Sequence, residues 1–378
     1  MTTLLLLVPL AQAFVSLSTT DQNAYGMAFY LVNYHFGFVK RGLFGQLFAH
    51  VPFVSLNALT KTALTNTGLC ILAIYAIFAP AFSRTVARAA LFSFLLSGPA
   101  MLPHLAYHAG FLDNPLLSLL LLAMLLLWCS GTWITITAIT VLCVVGLLIH
   151  EAFLLMFYPL IFLLMIIRCK EARVRHGVFA IHLLVIAAAF IVIETRGKLT
   201  ISTDFYLTYL QSRTDLYISP DFVRVWNQPF SHIPAYLLHS MPLRTLAGTL
   251  LALVTSVPYF CALKTCVSLS IRESGTRQLS LPVTGAILCA PLLLVFIAAD
   301  VMRWVSAACI NASLYVLWAE WNSPPGTPSD EPTGPVSFTK SPWFTAYFVW
   351  SLVIGAFGIY GNRFTNKLVS LIPAFRAH

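Results

Sequence analysis

The chain has 378 residues, of which 59% are apolar and 9% are charged, and it carries a formal net charge of +9. Soluble domains average about 25% charged residues, so this composition excludes the soluble globular and disordered classes. The mean hydropathy of +0.84 and recurring apolar runs of about 20 residues predict an all-α, polytopic helical membrane protein rather than an outer-membrane barrel.

Apolar windows predict about eleven transmembrane helices in a single integral membrane domain over residues 1–378. They lie near residues 3–18, 60–81, 89–105, 112–129, 131–149, 152–167, 177–194, 241–264, 280–299, 303–320 and 342–360. Residues 11–13, Ala-Gln-Ala, resemble a signal-peptide cleavage site. The absence of a basic segment before them favours an uncleaved first helix. The eight cysteines show no metal-ligand spacing, and they predict neither a disulfide framework nor a zinc site.

Basic residues predict the orientation of these spans. They gather after the second span (Arg84, Arg88), after the sixth (Arg168, Lys170, Arg173, Arg175) and after the eighth (Lys264, Arg272, Arg277). A cytoplasmic N-terminus places all three groups on the cytoplasmic side, where Lys and Arg accumulate. This explains the positive net charge without nucleic-acid binding. The side of the C-terminus stays open, because Arg363, Lys367 and Arg376 would lie outside.

Three segments do not read as simple spans. Residues 21–58 mix aromatic and charged side chains, which predicts interfacial helices in the first outer loop. Residues 195–240 form the largest outer loop. Residues 322–342 are rich in Pro, Gly and Ser, which predicts a flexible cytoplasmic linker.

Ionisable side chains are costly at membrane depth, and those of this chain gather at connections on the predicted outer face. They are Asp21 after the first span, His104, His108 and Asp113 around the third connection, His150 and Glu151 between the fifth and sixth spans, and Asp300 and Arg303 between the ninth and tenth. Loop ends tolerate charge, but the shortness of these connections favours a shared outer-face site. For Asp300 and Arg303, three residues apart, a helical ion pair is the alternative.

Two local patterns carry candidate chemistry. The segment Gly37–Gly45, GFVKRGLFG, sets Lys40 and Arg41 between glycines, which predicts either an anion site or a pair that anchors an interfacial helix to lipid headgroups. His150-Glu151 lacks the second histidine of the zinc-peptidase motif. This pair could position an acceptor hydroxyl, hold a divalent cation or cap two helices. The chain has no P-loop, dinucleotide fingerprint or nucleophile elbow.

An acid just after the first span, followed by interfacial helices, resembles the GT-C class of membrane glycosyltransferases. The strings KRGLFG, LIHEAF and DVMRW look like those of polytopic proteins in bacterial surface-polysaccharide gene sets, and the large outer loop is similar to that of Wzy-type polymerases. This resemblance implies transfer from a polyprenyl-phosphate-linked sugar to a glycan acceptor on the outer face of the bacterial inner membrane.

On that interpretation Asp21 is the catalytic base, and His150 and Glu151 orient the acceptor. Lys40 and Arg41, with Arg303, bind the carrier phosphate, and His104, His108, Asp113 and Asp300 complete the substrate site. No cofactor is expected, a divalent cation stays an option, and the partners are the lipid-linked donor, the acceptor and membrane lipids. The alternatives are a transporter or flippase for lipid-linked or anionic substrates, and a non-catalytic membrane subunit of an envelope assembly.

Overall fold

Long runs of Leu, Ile, Val and Ala give the chain its helices, since a helix satisfies every backbone hydrogen bond within one segment at membrane depth. A computed structural model of the protein describes residues 1–18, 24–129, 132–168, 175–227, 243–273, 281–296, 300–322, 334–358 and 361–371. Within these ranges the structure contains helices and turns and no strand, apart from an isolated bridge between Phe357 and Asn362.

In chain order the helices are α1 (Thr2–Leu17), α2 (Ala24–Ala28), α3 (Gly42–Gly45), α4 (Leu56–Phe82), α5 (Val86–Ser97), α6 (Leu102–Tyr107), α7 (Asp113–Cys129), α8 (Trp133–Ile149), α9 (Phe153–Met156), α10 (Tyr158–Arg168), α11 (Arg175–Arg196), α12 (Thr203–Ser212), α13 (Pro220–Asn227), α14 (Leu243–Thr255), α15 (Val257–Glu273), α16 (Leu281–Leu288), α17 (Val301–Asn322), α18 (Gly334–Phe338), α19 (Pro342–Ile354) and α20 (Arg363–Leu371). Two 3₁₀ turns, Gln46–Phe48 and Ala290–Phe296, complete the described secondary structure.

Four helical segments are long and apolar enough to cross a membrane: Leu56–Phe82, Val86–Tyr107, Gly177–Arg196 and Val301–Asn322. A fifth span forms if Leu246–Thr255 and Val257–Arg272, bent by 51°, cross together. The membrane-helical class expected from composition is therefore confirmed. The count of eleven stays a prediction, because α1, α7, α8, α10 and α19 are apolar but have only 10–17 residues each.

Prolines divide several of the predicted spans. The span expected at 241–264 breaks between α14 and α15, where Pro258 is the second residue of α15. The one expected at 280–299 changes after α16 into the 3₁₀ turn that contains Pro291. The one expected at 152–167 is interrupted at Phe157, just before Pro159. Proline lacks the N–H that continues a helix and clashes with the preceding turn, so each helix ends before it.

The described residues belong to two compact units. The terminal unit comprises residues 1–20, 74–107 and 234–378, and the central unit comprises residues 21–73 and 108–233. In the terminal unit, α1 packs against α5 and α6, and α17 packs against α15. Most of α17 is buried inside the protein, as expected of a helix that is surrounded by other helices. Part of the predicted linker at 322–342 is helical, since α18 covers Gly334–Phe338, and residues 323–333 lie outside the described part of the chain.

In the central unit, α8 packs against α7 and α11. Only 17% of the apolar window of α11 is buried, so its Ile, Leu and Val side chains need lipid to cover them. The segment predicted to lie at the interface contains the short helices α2 and α3. From the predicted outer loop, Arg213 donates hydrogen bonds to the carbonyl oxygens of Phe48 and Val51, and these bonds fasten α12 to that segment.

Candidate functional site

Within the central unit, Lys40 and Arg41 meet Glu151, which lies 110 residues further along the chain from Arg41. The Nε of Arg41 lies 3.0 Å from both carboxylate oxygens of Glu151, and its Nη2 also donates to Oε1. The Nζ of Lys40 lies 3.8 Å from the same Oε1. The Glu151 side chain is only 4% exposed, and those of Lys40 and Arg41 are 11% and 17% exposed. These three residues, with His150, form what we call the cationic cluster.

The loop that carries the two cations is tightly held by its backbone. The N–H of Lys40 donates to the Gly197 carbonyl oxygen at 3.0 Å, which ties the loop to the end of α11. Arg41 adopts a left-handed conformation with φ of 64°. Such a conformation costs a non-glycine residue about 1–3 kcal/mol and persists where its surroundings fix it. Here the ion pair with Glu151 and the neighbouring bond to Gly197 supply that restraint.

The glycines of this loop serve packing. A Cβ at Gly42 would lie 2.7 Å or less from ring atoms of Tyr34, and a Cβ at Gly45 would collide with the carbonyl oxygen of Val32. Both glycines therefore let α3 lie directly on the preceding segment. The glycines that flank Lys40 and Arg41 on this side therefore allow a close approach of two protein segments.

The carboxylate reaches the cluster from a turn that ends α8. His150 is the extended C-cap of that helix, and Gly146 leaves room for the ring of Phe153, which a Cβ would approach to 2.8 Å. The N–H of Ala152 donates to Nδ1 of His150 at 3.0 Å. The same Nδ1 lies 3.5 Å from Glu151 Oε2, so the imidazole is a direct neighbour of the carboxylate.

The electrostatic balance at Glu151 favours its charged form. Burial alone raises the pKa of this carboxyl. The Arg41 guanidinium, the His150 imidazole, the hydrogen bonds from Arg41 and the Lys40 ammonium outweigh burial and hold the pKa well below its usual range. A carboxylate stabilised in this way is a weak base. In the geometry described here Glu151 is therefore suited to hold Arg41 and unsuited to accept a proton.

Aromatic side chains that the sequence did not single out line the cluster. The Cζ of Arg41 lies 5.1 Å from the centre of the Phe29 ring. That ring packs at 4.7 Å against Phe222 and at 6.3 Å against His150. Glu194, near the end of α11, interacts electrostatically with Lys40 and Arg41. The density of aromatic residues in 21–58 was the only sequence signal for Phe29.

The other predicted residues of the central unit occupy separate settings. His108 is buried with its ring 5.1 Å from that of Phe111. Asp113 is the buried first residue of α7, where a carboxylate stabilises a helix N-terminus. The next residue, Asn114, donates to Thr67 Oγ1 at 2.6 Å. Asp21, the predicted base, lies outside the described residues.

His104, Asp300 and Arg303 belong to the terminal unit. The Nδ1 of His104 lies 2.9 Å from the Phe357 carbonyl oxygen and 3.2 Å from Ser306 Oγ. Arg303 Nη1 lies 3.3 Å from Asp300 Oδ2, within a pair spaced three residues apart at the start of α17. His104 thus links α6 to α17 and to the backbone at Phe357, whereas Asp300 and Arg303 pair within one helical turn. Of the predicted residues, it brings Lys40, Arg41, His150 and Glu151 together.

Metal binding was left open for the His-Glu turn. Across the described ranges, no three His, Cys, Asp or Glu side chains are grouped so as to hold a metal ion. Comparison of the chain with protein-family models, curated proteins and solved structures gave no match.

Proposed function

We propose that the chain is a bacterial inner-membrane glycosyltransferase or polysaccharide polymerase that uses a polyprenyl-phosphate-linked sugar on the outer face. In this proposal about eleven helices cross the membrane, and the N-terminus is cytoplasmic. Donor and acceptor are both lipid-borne or membrane-proximal, and the energy of transfer comes from the activated donor. The proposal assigns Asp21 as the base that deprotonates the acceptor hydroxyl.

The cationic cluster is the observation that carries this proposal. Two partly buried cations beside aromatic rings can bind a phosphate group and stabilise the negative charge that grows on it as the glycosidic bond breaks. Few convergent polar groups among aromatic side chains are typical of small-molecule sites.

A transporter or flippase is the second candidate, and two features of the terminal unit favour it. The span formed by α14 and α15 is bent by 51°, and broken helices are common where transporters bind their substrates. Beside it, α14 to α17 line a half-open apolar pocket of about 490 Å³, with Lys264 among its lining residues. A lipid chain with an anionic head could use both features.

Glycan analysis of a strain that lacks the gene separates these candidates. For a transferase or polymerase we expect a truncated or single-repeat glycan and a lipid-linked precursor that an impermeant reagent labels from outside. For a flippase the precursor would stay on the cytoplasmic side and escape that label. Complementation with Asp21→Asn should fail at normal protein abundance, and with the exposed-acid control Asp204→Asn it should succeed. An unchanged glycan in the deletion strain would refute both candidates and favour a non-catalytic subunit.

A further inference from the structure

Any anion that binds at Lys40 and Arg41 has to compete with Glu151, which already pairs with Arg41. Glu151 engages the guanidinium through both of its oxygens and lies 3.8 Å from the Lys40 ammonium. A carboxylate and a phosphate offer the guanidinium the same pair of acceptor oxygens. The position that a phosphate would take is thus filled by a side chain of the protein itself.

The charges around Glu151 allow such an exchange. Glu194 at the end of α11 interacts with Lys40, Arg41, Glu151 and Lys198. Even with both acids ionised, this group keeps one net positive charge, because Lys40, Arg41 and Lys198 face two carboxylates. A ligand with one negative charge would balance it. The Arg41 side chain is also the most exposed of the ion-paired three, so an anion can approach it from its open side.

From this geometry we infer that Glu151 occupies the anion position of a phosphodiester site, and that the phosphodiester displaces it from Arg41. The inference rests on the proposed function, in which the donor phosphate binds Lys40 and Arg41, and it adds a consequence for the acid. Once displaced, Glu151 is still buried but has lost its cationic partners. A carboxylate in that setting binds a proton, since burial disfavours its charged form.

The displaced Glu151 therefore becomes able to accept a proton only when the phosphodiester is present. The proton moves from water or from an acceptor hydroxyl to the carboxylate, no other bond changes, and no co-reactant is needed. Such an arrangement couples the basicity of the site to the arrival of its ligand. The neighbours that bear on this proton are His150, whose Nδ1 accepts the Ala152 N–H, and Glu194.

Calorimetry on the full chain in detergent tests this inference with farnesyl methyl phosphate as the probe. A diester is used because phosphate monoesters themselves titrate near pH 6, and farnesol serves as the control without phosphate. Titrations at pH 7 in two buffers with different ionisation enthalpies give the protons taken up on binding. We expect the wild type to take up a large fraction of one proton, and farnesol to cause no uptake.

The affinity of variants for the probe is a second measurement. It changes in opposite directions depending on whether Glu151 competes with the phosphate or positions Arg41 for it. If Glu151 competes with the phosphate, Glu151→Gln binds the probe at least about tenfold more tightly, because a charged competitor has been removed. Arg41→Gln should bind at least about tenfold more weakly. If Glu151 instead holds Arg41 ready for the phosphate, Glu151→Gln binds more weakly. Asp204→Asn, which removes an exposed acid of the same unit, should bind as the wild type does.

Any of four outcomes would overturn the inference. Two concern the wild type: no binding of the probe, or binding without proton uptake. The other two concern Glu151→Gln: weaker binding by the folded variant, or proton uptake equal to that of the wild type, which would assign the proton to His150. If Glu151→Gln does not fold, the inference is tested by comparing proton uptake on probe binding between the wild type and Arg41→Gln. Probe binding with proton uptake but no sugar transfer would leave the site standing and refute the transferase proposal.

Discussion

Replacing Arg41 and Glu151 singly and together by leucine should show strong energetic coupling between residues 110 positions apart. Removing one member of a buried ion pair costs about 3–5 kcal/mol, because the other charge is left uncompensated. Arg41→Leu should fall near the lower value, since the Lys40 ammonium still lies 3.8 Å from the carboxylate. Glu151→Leu should fall near the upper value, because it leaves two buried cations.

The double variant removes both charges and restores an apolar contact, so its cost should be well below the sum of the single costs. We expect a coupling energy of about 2–3 kcal/mol, at the upper end of measured values. Reversible unfolding in mixed micelles of dodecylmaltoside and sodium dodecyl sulfate, followed by circular dichroism, gives the four free energies. The matched control is Asp300 with Arg303, a pair three residues apart whose carboxylate is 24% exposed.

For that control pair we expect a smaller coupling of about 1 kcal/mol or less, because its carboxylate is 24% exposed and stays partly solvated, although the Arg303 side chain is only 6% exposed. Additive costs at Arg41 and Glu151, or a coupling no larger than that of the control, would show that the close geometry of the cluster contributes nothing to stability.

Three further predictions address packing, acid stability and topology. Gly45→Ala should lower the free energy of unfolding by about 1–3 kcal/mol, because the new methyl group collides with the Val32 carbonyl oxygen. Gly68→Ala in α4, where the Cβ position has open space, should raise the free energy of unfolding by about 0.5–1 kcal/mol. Equal effects of the two substitutions would contradict the packing role of Gly45. The pKa of Glu151 is lower in the folded protein than its unfolded value of about 4.3. The charged carboxylate therefore stabilises the fold fully above about pH 5, and this stabilisation is lost as the pH falls below about 4.3. The free energy of unfolding of Glu151→Gln should lack this acid-dependent component, and identical pH profiles for the two proteins would refute the prediction. In a cysteine-free background, Tyr217→Cys, at a position whose side chain is 74% exposed, and Phe230→Cys should react with an impermeant thiol reagent from outside, and Ala172→Cys should not. Labelling at 172 alone would invert the topology.

Composition was sufficient to predict the helical membrane class. With only 9% charged residues, the chain has too few polar side chains to cover its surface in water. The limits of individual spans were less predictable. A hydropathy window averages over Pro258 and Pro291 as if they were ordinary apolar residues. Their effect on the helix comes from the missing N–H and the ring, which a transfer scale does not contain. This is why the predicted spans at 241–264 and 280–299 are divided.

The candidate site was predictable residue by residue but not as pairs. Lys40, Arg41, His150 and Glu151 stood out because each is an ionisable group in an apolar chain. No periodicity links positions 110 residues apart, so their meeting had to come from the structure. Arg213 was missed because it lies in a loop rich in charge, where solvation is the usual expectation. It is 5% exposed and donates to backbone carbonyl oxygens.

Two ion pairs among the described residues, Arg41 with Glu151 and Asp300 with Arg303, differ in what they require. Asp300 and Arg303 meet because three residues of helix separate them, and such a pair forms wherever the helix forms. Arg41 and Glu151 meet only if a left-handed residue and the turn at the end of α8 are both in place. A well-packed apolar pair of similar volume would often be as stable there or more so. Stability alone therefore gives no reason for two buried cations around one carboxylate. An anion that binds at the same position does give one, because it needs both cations and leaves the carboxylate free to take a proton.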